Sequence, residues 1–345
     1  MKQLVRTVDD GPVLFEAKVE LLAQPASYPE RTSGVEMVET HMSCVFLTDS
    51  HAYKLKKPVL LPYLDYTTLA ARKLFCGEEV RINRSLAPGV YLRTVPLVLT
   101  NSNRLRIGGH GQVVDWLVQM RRLPLANRLD VLISRNAVDR KGLRDALNRL
   151  SAFYRESEPV PVTAGVYRAR LLRAIERNRE MLGSSASHLA PATRDRVLER
   201  QVRFVSREDS PLAARADHVV EAHGDLRPEH VYLLEPPLIV DRLEFDRDLR
   251  LLDPADELAF LSLECDRLGA PWVEAAAFEA YGQAADDDPP PAVVAFYRSL
   301  RACMRARLAI GHLERPDGRE AARWHEIAAR YLATADAASL ELTRS

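Results

Sequence analysis

The stretch EAHGDLRPEHVYLLEPPLIVDRLEFD, residues 221–246, gathers His223, Asp225, His230 and Asp241 into one short, largely apolar run. Each of these side chains handles protons or metal ions. A carboxylate accepts a proton or binds a hard cation, and an imidazole titrates near neutral pH or ligates softer metals. Asp241 ends the apolar segment PPLIV, where burying a carboxylate is costly without a partner. Taken as four ligands, the set would suit a metal-dependent hydrolase. Taken as a base and a metal holder, the two aspartates would suit phosphoryl transfer, which needs charge neutralisation and alignment more than covalent work.

The elements that must carry these residues can be read coarsely. Val45–Leu47 and Ala52–Leu55 are β-prone runs separated by Thr48-Asp49-Ser50-His51, turn chemistry that predicts a hairpin. Residues 66–86 read as a helix with Leu69, Leu74, Val80, Ile82 and Leu86 as its apolar stripe, ended by Pro88-Gly89. VYLRTVPLVLT, RLRIGG and QVVDWLVQM then read as antiparallel strands. From about 138 to 206 the period is helical, 221–245 returns to short strands, and the chain beyond 253 is helical except for the loop DDDPPPA at 286–292. Residues 1–33 look irregular or weakly helical. The expectation is an N-terminal extension over 1–33, a β-rich lobe over 34–122 and a helical lobe over 123–345.

Composition restricts the partners. Lys plus Arg is 48 and Asp plus Glu is 48, so no global charge favours nucleic acid or an anionic membrane. No run of 18 apolar residues is present, and no membrane span is expected. The four cysteines, Cys44, Cys76, Cys265 and Cys303, are scattered without a CxxC pair, the usage of a reduced, cytoplasmic protein.

His223-Gly224-Asp225-Leu226-Arg227-Pro228-Glu229-His230, followed by Ile239-Val240-Asp241, resembles the catalytic core of the aminoglycoside phosphotransferase family, within the protein-kinase-like fold. That family's loop reads H-G-D-x-x-x-x-N and is followed by a strand-borne aspartate. Asp253-Pro254-Ala255-Asp256-Glu257-Leu258-Ala259 is similar to its G-D-P-x-x-D-L-A segment, and Ala52-Tyr53-Lys54 to its ATP-site lysine strand. ETHMSCVFLTDSHAYKLKKP and FYRSLRACMRARLA resemble a bacterial branch whose members are mostly of unknown substrate. Some members of that branch carry a further P-loop domain; no GxxxxGK[ST] occurs here, so this chain would be the kinase-like part alone.

The resemblance implies an α+β, bilobal protein-kinase-like fold, with a small antiparallel β N-lobe and a larger helical C-lobe. It implies an ATP-dependent phosphotransferase acting on the hydroxyl of an unidentified small molecule. Asp225 would accept or orient the hydroxyl proton, and Asp241 would hold Mg²⁺ against the phosphates of ATP. Lys54 would sit on those phosphates, braced by Glu79 or Glu78. Lys56 shares its strand face, because strand side chains alternate, and competes for the role. Met120 to Leu123 would form the hinge against which adenine lies. His230 stands where the family has Asn and would be the second metal ligand. Imidazole suits softer transition metals better than Mg²⁺, so His230 would instead be structural with one Mg²⁺ in the site, or the site would favour Mn²⁺, or His230 would mark a non-catalytic, pseudokinase-like nucleotide-binding module.

His223 reads as a packing residue, Asp256 as the group that steadies the catalytic loop, and Glu244 and Asp246 as surface. Asp253, Glu257, Glu264, Asp266 and Asp286-Asp287-Asp288 are carboxylates that a polycationic acceptor would want. The arginines at 298, 301, 305 and 307 read as a salt-bridged helix face. The acceptor and the oligomeric state are not legible.

Overall fold

A computed structural model of the chain describes residues 6–7, 13–61, 64–184, 188–313 and 321–343. Contacts divide it into two compact units, Met1–Arg128 with Pro236–Leu249, and Leu129–Glu235 with Arg250–Ser345. This division differs from the expected one in that residues 236–249, which carry Asp241, group with the first unit.

The first unit runs β1 (Arg6–Thr7), α1 (Phe15–Leu22), β2 (Glu36–Glu39), β3 (Ser43–Leu47), β4 (His51–Lys56), β5 (Val59–Leu61), β6 (Leu64–Asp65), α2 (Leu69–Asn83), β7 (Tyr91–Leu99), β8 (Leu105–Ile107) and β9 (Gln112–Arg121). Six strands form one antiparallel sheet in the order β2-β3-β4-β9-β7-β8. The β3–β4 hairpin closes at Thr48, whose N–H donates to the His51 carbonyl at 2.8 Å and whose Oγ1 accepts from the His51 N–H at 3.0 Å. Residues 1–5 and 8–12 of the expected N-terminal extension lie outside the described residues. Its remainder is no appendage, because Leu22 and Tyr28 join Phe46, Tyr53, Leu55 and Leu117 in a buried cluster.

Helix α2 begins at Thr68, whose side chain accepts from the Ala71 N–H. Of the expected apolar stripe, Val80, Ile82 and Leu86 are buried, but Leu74 is 60% exposed. The buried residues of the helix are Arg72, Cys76, Glu79, Val80, Ile82 and Asn83, which keep helical spacing but are half polar. Each polar member has a partner. Arg72 Nε and Lys18 Nζ both donate to the fully buried Asp115 at 2.9 Å, and Arg72 also donates to two backbone carbonyls. An apolar pattern misses such a face because these charges are tolerated only as satisfied networks.

The second unit contains α3 (Leu129–Ser134), α4 (Arg140–Glu156), α5 (Ala164–Leu182), α6 (Pro191–Ser206), β10 (Val220–Glu221) and β11 (Val231–Tyr232). After β12 (Leu238–Ile239), which belongs to the first unit, come β13 (Leu251–Leu252), α7 (Pro254–Arg267), α8 (Val273–Ala285), α9 (Pro291–Gly311) and α10 (Ala321–Ser339). Asp139, Thr163 and Asp253 cap α4, α5 and α7 through side-chain bonds to first-turn N–H groups. Helix α9 packs against α5, α6, α7 and α10. Among the described residues no helix is long and apolar enough to cross a membrane. The four cysteines are free and buried.

Of the run Asp286-Asp287-Asp288, the middle residue is not simply solvated. Arg215 donates to both oxygens of Asp287 at 2.7 Å and forks onto Asp253 at 2.7 Å. Tyr281 Oη donates to Asp287 at 2.8 Å, and His218 Nδ1 lies 3.1 Å away. Burial alone would raise the Asp287 pKa. Hydrogen bonds from His218, Arg215 and Tyr281 outweigh it and hold the carboxyl below the usual carboxylate range. A depressed folded pKa contributes stability that is present above the unfolded value and is lost as pH falls toward the folded one. Asp287→Asn should therefore lower Tm by about 5 °C at neutral pH. The difference from wild type should shrink between about pH 4 and pH 2, and a gap that stays constant in thermal melts across that window would refute the assignment.

Candidate functional site

The candidate residues fall into two sets, one in each unit. In the first, Lys54 and Lys56 leave the same face of β4 and meet one carboxylate from α2. Lys54 Nζ donates to Glu79 Oε1 at 2.7 Å, and Lys56 Nζ donates to Glu79 Oε2 at 2.6 Å. Lys54 Nζ also donates to Asp241 Oδ1 at 3.0 Å. Lys56 turns instead to Glu244, with which it forms a close ion pair, and to Tyr66 Oη at 3.3 Å. Tyr66 Oη donates to Glu244 Oε1 at 2.5 Å.

Exposure separates the two lysines: the Lys54 side chain is 14% exposed and that of Lys56 1%, while that of Asp241 is 47% exposed. Burial would lower Lys54. The charges of Asp241, Glu79 and Glu244 outweigh it and hold the ammonium well above its ordinary range. Burial likewise opposes the Glu244 carboxylate, but Lys56 and Lys54 hold its pKa below the ordinary value.

Asp241 has φ +64°, a left-handed conformation that Asp and Asn tolerate better than most residues. The turn is pinned on both sides. The Asp241 N–H donates to Tyr91 Oη at 2.9 Å. The next N–H, of Arg242, donates to Asn83 Oδ1 at 2.8 Å, and Asn83 Nδ2 donates back to the Arg242 carbonyl at 3.3 Å. Asn83 lies one helical turn beyond Glu79, so a single face of α2 holds both the lysines and the aspartate turn.

The structure thus gathers Lys54, Lys56, Glu79 and Asp241, and it leaves Glu78 out. Glu78 is engaged by Arg81 Nη2 at 2.6 Å on the outer face of α2. Met120 lies one residue before the end of β9, in register with Ala52 and Tyr91, and Leu123 follows in the connector, half-buried. Glu244, expected at the surface, is buried. Tyr66 and Tyr91 carried no sequence signal. Asn83 alone could have been flagged, by its i+4 spacing from Glu79.

In the second unit the loop 223–230 is built on a buried carboxylate. The His223 N–H donates to Glu257 Oε2 at 2.9 Å, and the Gly224 N–H donates closely to Oε1. Tyr154 Oη donates to Glu257 Oε2 at 2.7 Å. Gly224 has φ +95°, where a side chain would be strained. The steadying group is therefore Glu257. Asp256, expected in that role, instead takes both arms of Arg301, at 2.7 and 2.8 Å.

Arg227 donates through Nε and Nη2 to Asp225 Oδ2 at 3.2 and 2.9 Å. His230 Nδ1 lies 2.7 Å from the Asp225 carbonyl. A carbonyl only accepts, so Nδ1 carries the proton and Nε2 accepts from Arg227 Nη2 at 3.3 Å. His223 and His230 stack with ring centroids 5.6 Å apart, and His223 Nδ1 accepts from the Asp225 N–H at 3.3 Å. Both histidines thus serve the shape of the loop. Coordination by His230 Nε2 would require Arg227 to move aside.

Of the carboxylates expected to greet a polycation, Asp253, Glu257, Glu264, Asp266 and Asp287 are engaged within this unit. Glu264 accepts from Tyr331 Oη and pairs with Arg305 and Arg267, while Asp266 and Glu274 share Arg298. With Arg301 on Asp256 and Arg307 on Asn178, the arginines of α9 form the paired face that their spacing predicts.

No protein-family model matches the chain. Uncharacterized proteins of Mycobacterium bovis and Mycobacterium tuberculosis are 29% identical to it over 281 residues, covering 79% of this chain and 54% of theirs. The chain spans about half the length of these curated relatives. Among solved structures, the GDP complex of aminoglycoside 2'-phosphotransferase-IIIa aligns with a TM-score of 0.58 at 13% identity, covering 94% of this chain and 99% of that one. A choline/ethanolamine kinase family protein from Mesorhizobium loti aligns with a TM-score of 0.55 at 15% identity, covering 95% and 98%. Glucosamine kinase in complex with glucosamine, ADP and inorganic phosphate gives 0.51 at 15% identity, covering 91% and 84%. The chain has the protein-kinase-like fold of the aminoglycoside-phosphotransferase type.

Proposed function

We propose that this protein is an ATP-dependent phosphotransferase that moves the γ-phosphoryl group to a hydroxyl of a small molecule. The observation that carries the reading is the position of Lys54, whose ammonium bridges Glu79 and Asp241 at 2.7 and 3.0 Å. Glu79 holds the lysine in place, and the partly exposed side chains of Lys54 and Asp241 are left to meet phosphate and its counter-cation. In the fold neighbours, GDP and ADP are bound to phosphotransferases of small hydroxylated molecules, which supports the same class of reaction here.

The residues fit a hard divalent cation at Asp241. Two ammonium groups face three carboxylates in this cluster, so these five groups carry one net negative charge, on oxygen, the donor Mg²⁺ prefers. Asp241 would hold the ion, which would supply charge neutralisation on the phosphates. Lys54 would bind the phosphate oxygens. His230 fits Mg²⁺ poorly, since both ring nitrogens have partners within the loop. Mn²⁺ would be accommodated at Asp241 by the same oxygen donor. Asp225, with Arg227 fixed on Oδ2 and about one third of its side chain exposed, would accept the hydroxyl proton through Oδ1. Met120 and Leu123 would bound the adenine.

A non-catalytic, nucleotide-binding module is the second reading. It is favoured by His230 standing in a loop position where an amide would otherwise offer a metal ligand. A screen for ATP consumption against hydroxylated metabolites, with Mg²⁺ or Mn²⁺ and with chelator, separates the two. Phosphotransfer predicts acceptor-dependent, chelator-sensitive ADP release. ATP-induced thermal stabilisation with no turnover on any acceptor would leave the binding module.

A further inference from the structure

We propose that Lys56 and Glu244 act as a positioning clamp for the nucleotide-phosphate site, fastening the free oxygen of Glu79 to the segment that follows Asp241. This rests on the phosphotransfer reading and adds to it two residues that touch neither phosphate nor acceptor. The Lys56 side chain is 1% exposed and that of Glu244 7%, so neither meets solvent or ligand directly. Lys54 bonds Glu79 through Oε1 only, and Lys56 takes Oε2. Through its pair with Glu244, Lys56 then reaches three residues past Asp241. Tyr66 completes the clamp, donating to Glu244 at 2.5 Å and laying its ring 4.9 Å from the Lys56 ammonium.

Charge and geometry give the same result. The groups Lys54, Lys56, Glu79 and Glu244 sum to zero, so the net negative charge of the cluster is that of Asp241, which Lys54 contacts. Without Lys56, Glu79 and Glu244 would be two buried carboxylates sharing Lys54, and that lysine would be drawn off Asp241. The clamp therefore joins β4, α2 and residues 241–244, and it lets Lys54 release Asp241 to phosphate without loosening Glu79. Buried ion pairs contribute little net stability against apolar substitutes, so the pair can be separated experimentally from the fold itself.

The test uses K56M and the charge-balanced double variant K56M/E244L on the full chain. K56M alone leaves buried carboxylates unpaired and should lower Tm markedly. The double variant should melt within a few degrees of wild type. Even so, it should exchange backbone amide hydrogens across 239–246 about tenfold faster than wild type, and its kcat/KM for ATP should fall about tenfold or more. Unchanged exchange across 239–246 in the double variant would overturn the clamp, as would a kcat/KM restored together with Tm. If the wild-type protein consumes no ATP, the phosphotransfer reading fails, and the exchange measurement, made without nucleotide, still decides the clamp.

Discussion

Asp241→Asn is expected to lower kcat by about 10³-fold, equivalent to about 4 kcal/mol of lost transition-state stabilisation, while leaving Tm within about 2 °C of wild type. The two halves of this expectation have separate causes. Asn adopts the left-handed conformation found at position 241, φ +64°, about as readily as Asp. The anchors on that turn, Tyr91 Oη to the Asp241 N–H and Asn83 to Arg242, involve the backbone of the turn and not the exchanged carboxylate. The amide oxygen can still accept from Lys54. Replacing a half-exposed carboxylate also removes the net negative charge of a cluster of two ammonium groups and three carboxylates, so the unliganded protein loses little. The variant cannot present an anionic oxygen to a divalent ion. Coupled ATP-consumption kinetics, with thermal shift on ATP plus Mg²⁺, check both halves. Turnover equal to that of wild type would remove Asp241 from the metal site.

Much of this arrangement was legible in the sequence, and the rest was hidden for identifiable reasons. Strand alternation places Lys54 and Lys56 on one face, and both reach Glu79. The turn chemistry of Thr48-Asp49-Ser50 located the hairpin that carries them. The choice between Glu78 and Glu79 was not legible. One residue along a helix is about 100° of rotation, and which face turns inward depends on the whole unit. The expected apolar stripe on α2 held at Val80 and Ile82 but missed the rest of the inward face, because that helix also buries Arg72, Glu79 and Asn83, each satisfied by a partner remote in sequence. Glu244 was hidden most completely. It lies in the charged run DRLEFDRDLR, which reads as solvated, and its burial depends on Lys56, 188 residues earlier. Asp256 and Glu257 are adjacent at the start of α7, both buried, and only the fold decides which one meets the loop and which meets Arg301.

Asp225→Asn tests the other set of residues, and its expected effect is also about 10³ in kcat, the middle of the range for loss of a positioned base. The substitution keeps the size and planarity of the side chain. It leaves untouched the bonds that shape the loop, since Glu257 holds the His223 and Gly224 N–H groups and His230 Nδ1 bonds the main-chain carbonyl of residue 225. The pair with Arg227 is lost, but with side chains 23% and 35% exposed that pair is worth about 1 kcal/mol or less. Tm should therefore move by only a few degrees. The KM for ATP should stay within about threefold of wild type, because Asp225 is assigned to the acceptor hydroxyl and not to the phosphates. An amide cannot take the hydroxyl proton, so the loss should fall on kcat alone. A large rise in the KM for ATP with kcat preserved would show that Asp225 serves the nucleotide. Undiminished acceptor-dependent turnover would show that the base lies elsewhere, and with it the whole assignment of the HGD loop would fall.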